Sequence, residues 1–173
     1  MQADELVSKN DFLEGSLQRL RDDDITVLEA FSHYQTSKFP FFDRVEVAHE
    51  FMELLTFKIK ESKSRMDKEY LAQFSLTFFQ NSIKTYGFNP KFVATQLKSL
   101  ITYYQNQKNL DKAIEVCELL IRHGITDDDS KGFHVRLDDL YRLRKKVLDK
   151  GGDLSMIDFS SSKDDFQDED EED

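Results

Sequence analysis

Tryptophan is absent from this chain of 173 residues, proline occurs twice, glycine six times and cysteine once. So little proline and glycine leaves few breaks for the many tight turns of a sheet protein and favours long helices with short connections. The single thiol, Cys117, has no second cysteine to pair with, which excludes an internal disulfide framework. No apolar run approaches the roughly 18 residues that a membrane span needs. Met1 is followed by Gln2, Ala3, Asp4 and Glu5, unlike the basic-then-apolar opening of a secretory leader. A reducing, cytoplasmic setting is therefore expected.

The chain is also not uniformly acidic, despite a formal charge of −10. Residues 151–173 carry ten acidic residues and one lysine, which leaves 23 basic and 24 acidic residues, a net of −1, for residues 1–150. The acidity belongs to a tail, and a body so close to neutral offers no broad phosphate-binding footprint. The tail's DDFQDEDEED run is too polar to bury a core and reads as disordered. The expected organisation is a helical domain over 1–150 followed by a disordered acidic tail over 151–173.

What the body does contain is apolar residues at helical spacing, i, i+3, i+4 and i+7, almost throughout. Leu6, Leu13, Leu17 and Leu20 predict a first helix over about residues 10–21. Asp22, Asp23 and Asp24 then read as an N-terminal cap for a short helix bearing Ile25, Leu28 and Phe31. Asp43 is placed to cap a helix with Val47, Phe51, Leu54, Leu55 and Ile59 on one face and Glu46, Glu50 and Glu53 opposite. The next helix starts around Asp67. Its wide apolar surface, Leu71, Phe74, Phe78 and Phe79, predicts a central position in the bundle. Gly87 should end it and Asn89-Pro90 should restart the chain.

Two further helices follow, one with Val93, Leu97, Leu100, Ile101 and Tyr104 inward, the other with Leu110, Ala113, Ile114, Cys117, Leu120 and Ile121. A last helix places Phe133, Leu137, Leu140, Tyr141 and Leu148 inward, with Arg136, Arg142, Arg144, Lys145 and Lys146 mainly outward. About seven helices joined by short turns predict an all-α fold of antiparallel helical hairpins.

Residues 93–124 resemble a tetratricopeptide repeat. Leu97, Leu100, Ile101 and Tyr104 stand at the fourth, seventh, eighth and eleventh positions of that family's first helix. Ala113 stands where its second helix needs a small residue, and Cys117 and Leu120 fill the further inward positions. Ile101 replaces the usual small residue, and the proline that usually follows the second helix is missing, with Ile125 nearby instead. One repeat is covered, whereas a solenoid needs about three to bury its faces. The resemblance implies a TPR-like bundle or short solenoid that presents a groove or face to another protein.

Catalytic and metal signatures are sparse. His33, His49, His123 and His134 include no pair at i+3 or i+4, so no metal is expected. Cys117 lies on an inward face without a neighbouring His or Lys to lower its pKa and reads as a buried structural thiol. Asp127, Asp128 and Asp129 lack the alternating ligands and closing Glu of a calcium loop. No glycine-rich phosphate loop is present and no cofactor is expected.

The candidate partner-binding residues are Phe39, Phe41 and Phe42, as a loop folded over the core or an exposed anchor. Arg142 and Lys145 on the last helix are candidates too, as are Leu154, Met156, Ile157 and Phe159, an apolar patch inside the acidic tail. Ser160, Ser161 and Ser162, beside acidic residues, suit an acidophilic kinase.

The reading is an intracellular adaptor or scaffold, not an enzyme. Its partner is another protein, for which a basic surface would complement the tail. Neither membrane nor direct nucleic-acid binding is expected. Two alternatives stand: a regulator of a nucleic-acid-binding machine whose tail mimics phosphate charge, and an enzyme whose site is assembled from distant residues.

Overall fold

The computed structural model describes residues 8–89, 94–124 and 132–151. Among them the secondary structure is helical, with seven helices and no strand. Three consecutive segments, Lys9–Phe12, Leu13–Leu17 and Gln18–Arg21, form one rod, α1, and the middle one is wound more widely than an α-helix, in π geometry. That winding has a packing consequence. Phe12 and Leu17 are five residues apart and would diverge on an ideal α-helix, yet both are buried, together with Leu20. Phe12 takes the core position that the leucine spacing had assigned to Leu13, which is only partly buried. Leu6 lies outside the described residues.

The acidic run that follows ends α1 and does not cap the next helix. Asp23 adopts a left-handed φ of 65°, and the amide of Asp24 returns to the Arg19 carbonyl at 2.7 Å. The cap of α2 (Val27–Thr36) is Thr26, in a reciprocal box with Glu29: Glu29 N–H donates to Thr26 Oγ1 at 3.1 Å, and Thr26 N–H to Glu29 Oε1 at 2.9 Å. The same correction applies once more. Asp43 lies in the first turn of α3 (Phe41–Glu61), which opens at Pro40 without a side-chain cap. Asp67 lies in the first turn of α4 (Arg65–Tyr86), where it donates its N–H to the capping Ser64 Oγ at 3.2 Å. These acids sit where carboxylates favour a helix start or a turn.

Gly87 ends α4 as its position predicts, with φ of 69° and its N–H on the Ile83 carbonyl at 2.9 Å. The Asn89-Pro90 restart falls across residues 90–93 and the Asp127–Asp129 turn within 125–131, both outside the described residues. The remaining helices are α5 (Ala94–Asn106), α6 (Leu110–Arg122) and α7 (Gly132–Asp149). α3 pairs with α4, α5 with α6, and α7 lies on α6. α3 also touches α5, and α1 lies against α3.

The centre of this bundle is α5 and not α4. Nine of the thirteen residues of α5 are buried, so neighbours enclose it on nearly all sides. α4 spends its apolar width on aromatic contacts with α2 and α3, including Phe31–Phe74 at 5.5 Å and Phe51–Phe78 at 4.9 Å, and leaves Met66 and Tyr70 exposed. α6 is sandwiched between α5 and α7, which buries Val116 and Leu119 beside the predicted stripe.

The register of α7 also departs from expectation. Phe133 and Leu140 are buried, but Tyr141 and Leu148 are exposed. Arg136, read as outward, turns inward and donates to Thr102 Oγ1 at 2.7 Å. The contact face therefore runs through 133, 136, 137, 140, 143 and 147, and Tyr141 and Leu148 fall one residue, about 100°, beyond a member of it. Among the described residues no helix is long and apolar enough to cross a membrane.

Candidate protein-interaction surface

Pro40 divides the aromatic corner between α2 and α3. Phe39, before it, is 8% exposed, with its ring 5.7 Å from Phe12. Phe41 and Phe42, after it, are the first residues of α3 and are 54% and 79% exposed. Pro40 is extended (ψ 157°), so the chain turns as it enters the helix and sends consecutive phenylalanines in opposite directions. Phe41 bridges the exposed Phe42 ring, at 5.8 Å, to the buried Phe88, at 5.5 Å. The segment is thus both a core element and an exposed apolar pair. Phe39→Ala is expected to destabilise by about 3 kcal/mol and Phe42→Ala by no more than about 0.5 kcal/mol. Urea midpoints of the two variants check this, and equal losses would mean that the corner is packed differently.

Arg44 holds the corner in place. It is buried, and its guanidinium lies 4.8 Å from the Tyr34 ring centroid, 5.1 Å from Phe39 and 4.5 Å from Tyr86. It donates to the carbonyls of Tyr34, at 3.0 Å, and Ser37. A cation at the C-terminal end of α2 satisfies carbonyls that the helix leaves unpaired and complements its dipole. The sequence reading missed this residue. The available signal was its spacing, since Arg44 extends the inward stripe of Val47, Phe51 and Leu55 by one turn.

Burial pushes the Tyr34 phenol up to about 12 from its ordinary 10.0, while Arg44 pulls it down. The folded protein then keeps a proton that the unfolded chain releases between these values. The related stability is full below pH 10 and is lost as pH rises toward 12. Urea midpoints should fall through this window, and less steeply in Tyr34→Phe. An identical slope in that variant would assign the alkaline loss to another group.

The outer face of α3 carries Phe42, Glu46, His49, Glu50, Glu53 and Phe57. Glu46 is paired with Lys9, and His49 Nε2 lies 3.8 Å from Glu53 Oε2. Ligand atoms of His49, Glu50 and Glu53 all lie within 4.8 Å of one another. Three groups on a solvated face make an open, incomplete set and not a closed metal site.

The other predicted residues lie elsewhere. Arg142 pairs with Asp139 at 2.7 Å, and Lys145 is exposed beside it on α7. Leu154, Met156, Ile157 and Phe159, and the serines that follow, are outside the described residues. Leu97, Leu100, Ile101, Tyr104, Ala113, Cys117 and Leu120 are all buried between α5 and its neighbours, and Cys117 Sγ donates to the Phe133 carbonyl at 3.3 Å. A cleft of about 450 Å³ opens beside Tyr104, lined also by Arg65, Met66, Glu69, Tyr70 and Gln107. Ser16 Oγ lies 2.8 Å from His33 Nδ1 on the surface. Among the described residues no carboxylate hydrogen-bonds this imidazole, so the pair lacks the third group that orients a catalytic base. No protein-family model, curated protein or solved structure matches this chain.

Proposed function

We infer that this chain is a protein-interaction adaptor and not a catalyst. The observation that carries this reading is the exposed Phe41–Phe42 pair, mounted on a corner clamped by Arg44. Exposed aromatics held in place by a rigid framework lose little freedom on binding and make effective anchors. In this reading the α5–α6 hairpin acts as a TPR-like unit that supports the interaction surface, and the acidic tail draws a basic partner by long-range attraction. The proposed setting is the cytoplasm, in keeping with a single buried thiol.

The test places a photo-crosslinking phenylalanine analogue at position 42 of the full chain in its native cell. One dominant adduct is expected, lost in a Phe41→Ser background. An adduct pattern identical to that from the same probe at His134, on α7, would show that Phe42 marks no partner site.

A further inference from the structure

The outer face of α3 is patterned as well as exposed. At about 100° per residue, positions 42, 46, 49, 50, 53 and 57 fall within about 100° of arc, so they form one stripe. Phe42 and Phe57, 79% and 45% exposed, stand at its two ends. They are fifteen positions apart, which at about 1.5 Å rise per residue is about 22 Å. Between them lie Glu46, Glu50 and Glu53, with side chains of Glu46 and Glu53 60% and 51% exposed. The facing basic groups are the Lys9 ammonium, paired with Glu46, and the His49 imidazole, beside Glu53. Lys60 lies on the same stripe beyond Phe57. The middle of the stripe thus keeps an excess of negative charge between two apolar ends.

A chain docking here meets helices only, since the described residues contain no sheet edge to pair an extended backbone. A ligand that satisfies its own backbone hydrogen bonds fits this surface best, and that is a helix. We propose that this face of α3 docks a basic amphipathic helix of a partner protein. Four turns of such a helix match the stripe. Its Lys or Arg side chains meet Glu50 and Glu53, and bulky apolar residues near its ends meet Phe42 and Phe57. This inference rests on the adaptor reading and names the partner's chemistry.

The probe is a labelled eighteen-residue synthetic helix of leucine, alanine and lysine, with leucines at both ends of one face and lysines between them. Its binding to the full-length protein is followed by fluorescence anisotropy at physiological salt. Glu50→Lys with Glu53→Lys should weaken binding about tenfold or more, because it turns two attractions into repulsions. Asp138→Lys with Asp149→Lys makes the same change of net charge on α7 and should alter binding less than about twofold. Phe42→Ser with Phe57→Ser should also weaken it, and circular dichroism confirms that each variant is folded. Equal losses from the two charge reversals would assign binding to net charge or to the tail and overturn the proposal. Absence of measurable binding overturns it as well. A partner captured through position 42 that offers no basic helix would overturn this inference alone and leave the adaptor reading standing.

Discussion

Ala113→Arg is expected to destabilise the protein by about 3–5 kcal/mol, a large share of the roughly 5–15 kcal/mol that holds a domain together. Ala113 is completely buried on α6, the helix sandwiched between α5 and α7. A guanidinium at this position must either be buried without a partner or force α6 away from its neighbours. Both routes cost more than a hairpin of this size can absorb locally. The control is Lys112→Arg, one residue earlier, where the side chain is 32% exposed and pairs with Glu115 at 3.3 Å. That change keeps the charge in solvent and should shift stability by less than about 0.5 kcal/mol. Urea denaturation followed by far-UV circular dichroism measures both. Similar losses would place the contact face of α6 elsewhere on its circumference.

The second large effect is expected at Arg44. Arg44→Ala removes two charge-assisted hydrogen bonds to the carbonyls of Tyr34 and Ser37 and three guanidinium–ring contacts. It strands those carbonyls at the end of α2 in a buried place. A loss of about 3–4 kcal/mol is expected. Arg44→Lys restores the charge but not the two-pronged donation or the flat face that stacks on Tyr34 and Tyr86, so it should recover less than half of that loss. Thermal unfolding of the two variants checks the order. A lysine variant as stable as the native protein would mean that Arg44 acts as a point charge and not as a clamp. The same variants connect stability to function. When the corner loosens, Phe41 and Phe42 lose their fixed orientation, and crosslinking through position 42 should weaken even where the protein remains folded.

Reading the chain from its residues succeeded where one short segment contains the whole cause. The stripe of α6, Leu110, Ala113, Ile114, Cys117 and Leu120, is legible because a 3.6-residue period places those residues on one side whatever packs there. Gly87 stops its helix because the left-handed conformation it adopts is open to glycine at little cost. The near-neutral body is equally plain from the composition. The all-α fold follows from these local facts alone.

Tertiary structure decided what depends on neighbours. Asp22–Asp24 and Asp43 look like caps in isolation, yet the caps are Thr26 and Pro40, since a cap is defined by where the chain turns and not by which residue could serve. Phe39 and Phe42 are chemically identical and three positions apart, and only the bend at Pro40 buries one and exposes the other. Arg44 and Arg136 have the composition of surface residues, but aromatic rings gather around the first, and Thr102 and Gln105 accept hydrogen bonds from the second. The outer face of α3 was legible as an acidic stripe and Phe42 as a candidate anchor; Phe57 at its other end was not. The sequence determined which segments are helices because backbone hydrogen bonds close within four or five residues. Which face of each helix meets water was left to the arrival of distant helices, because burial is a property of the pair and not of either member.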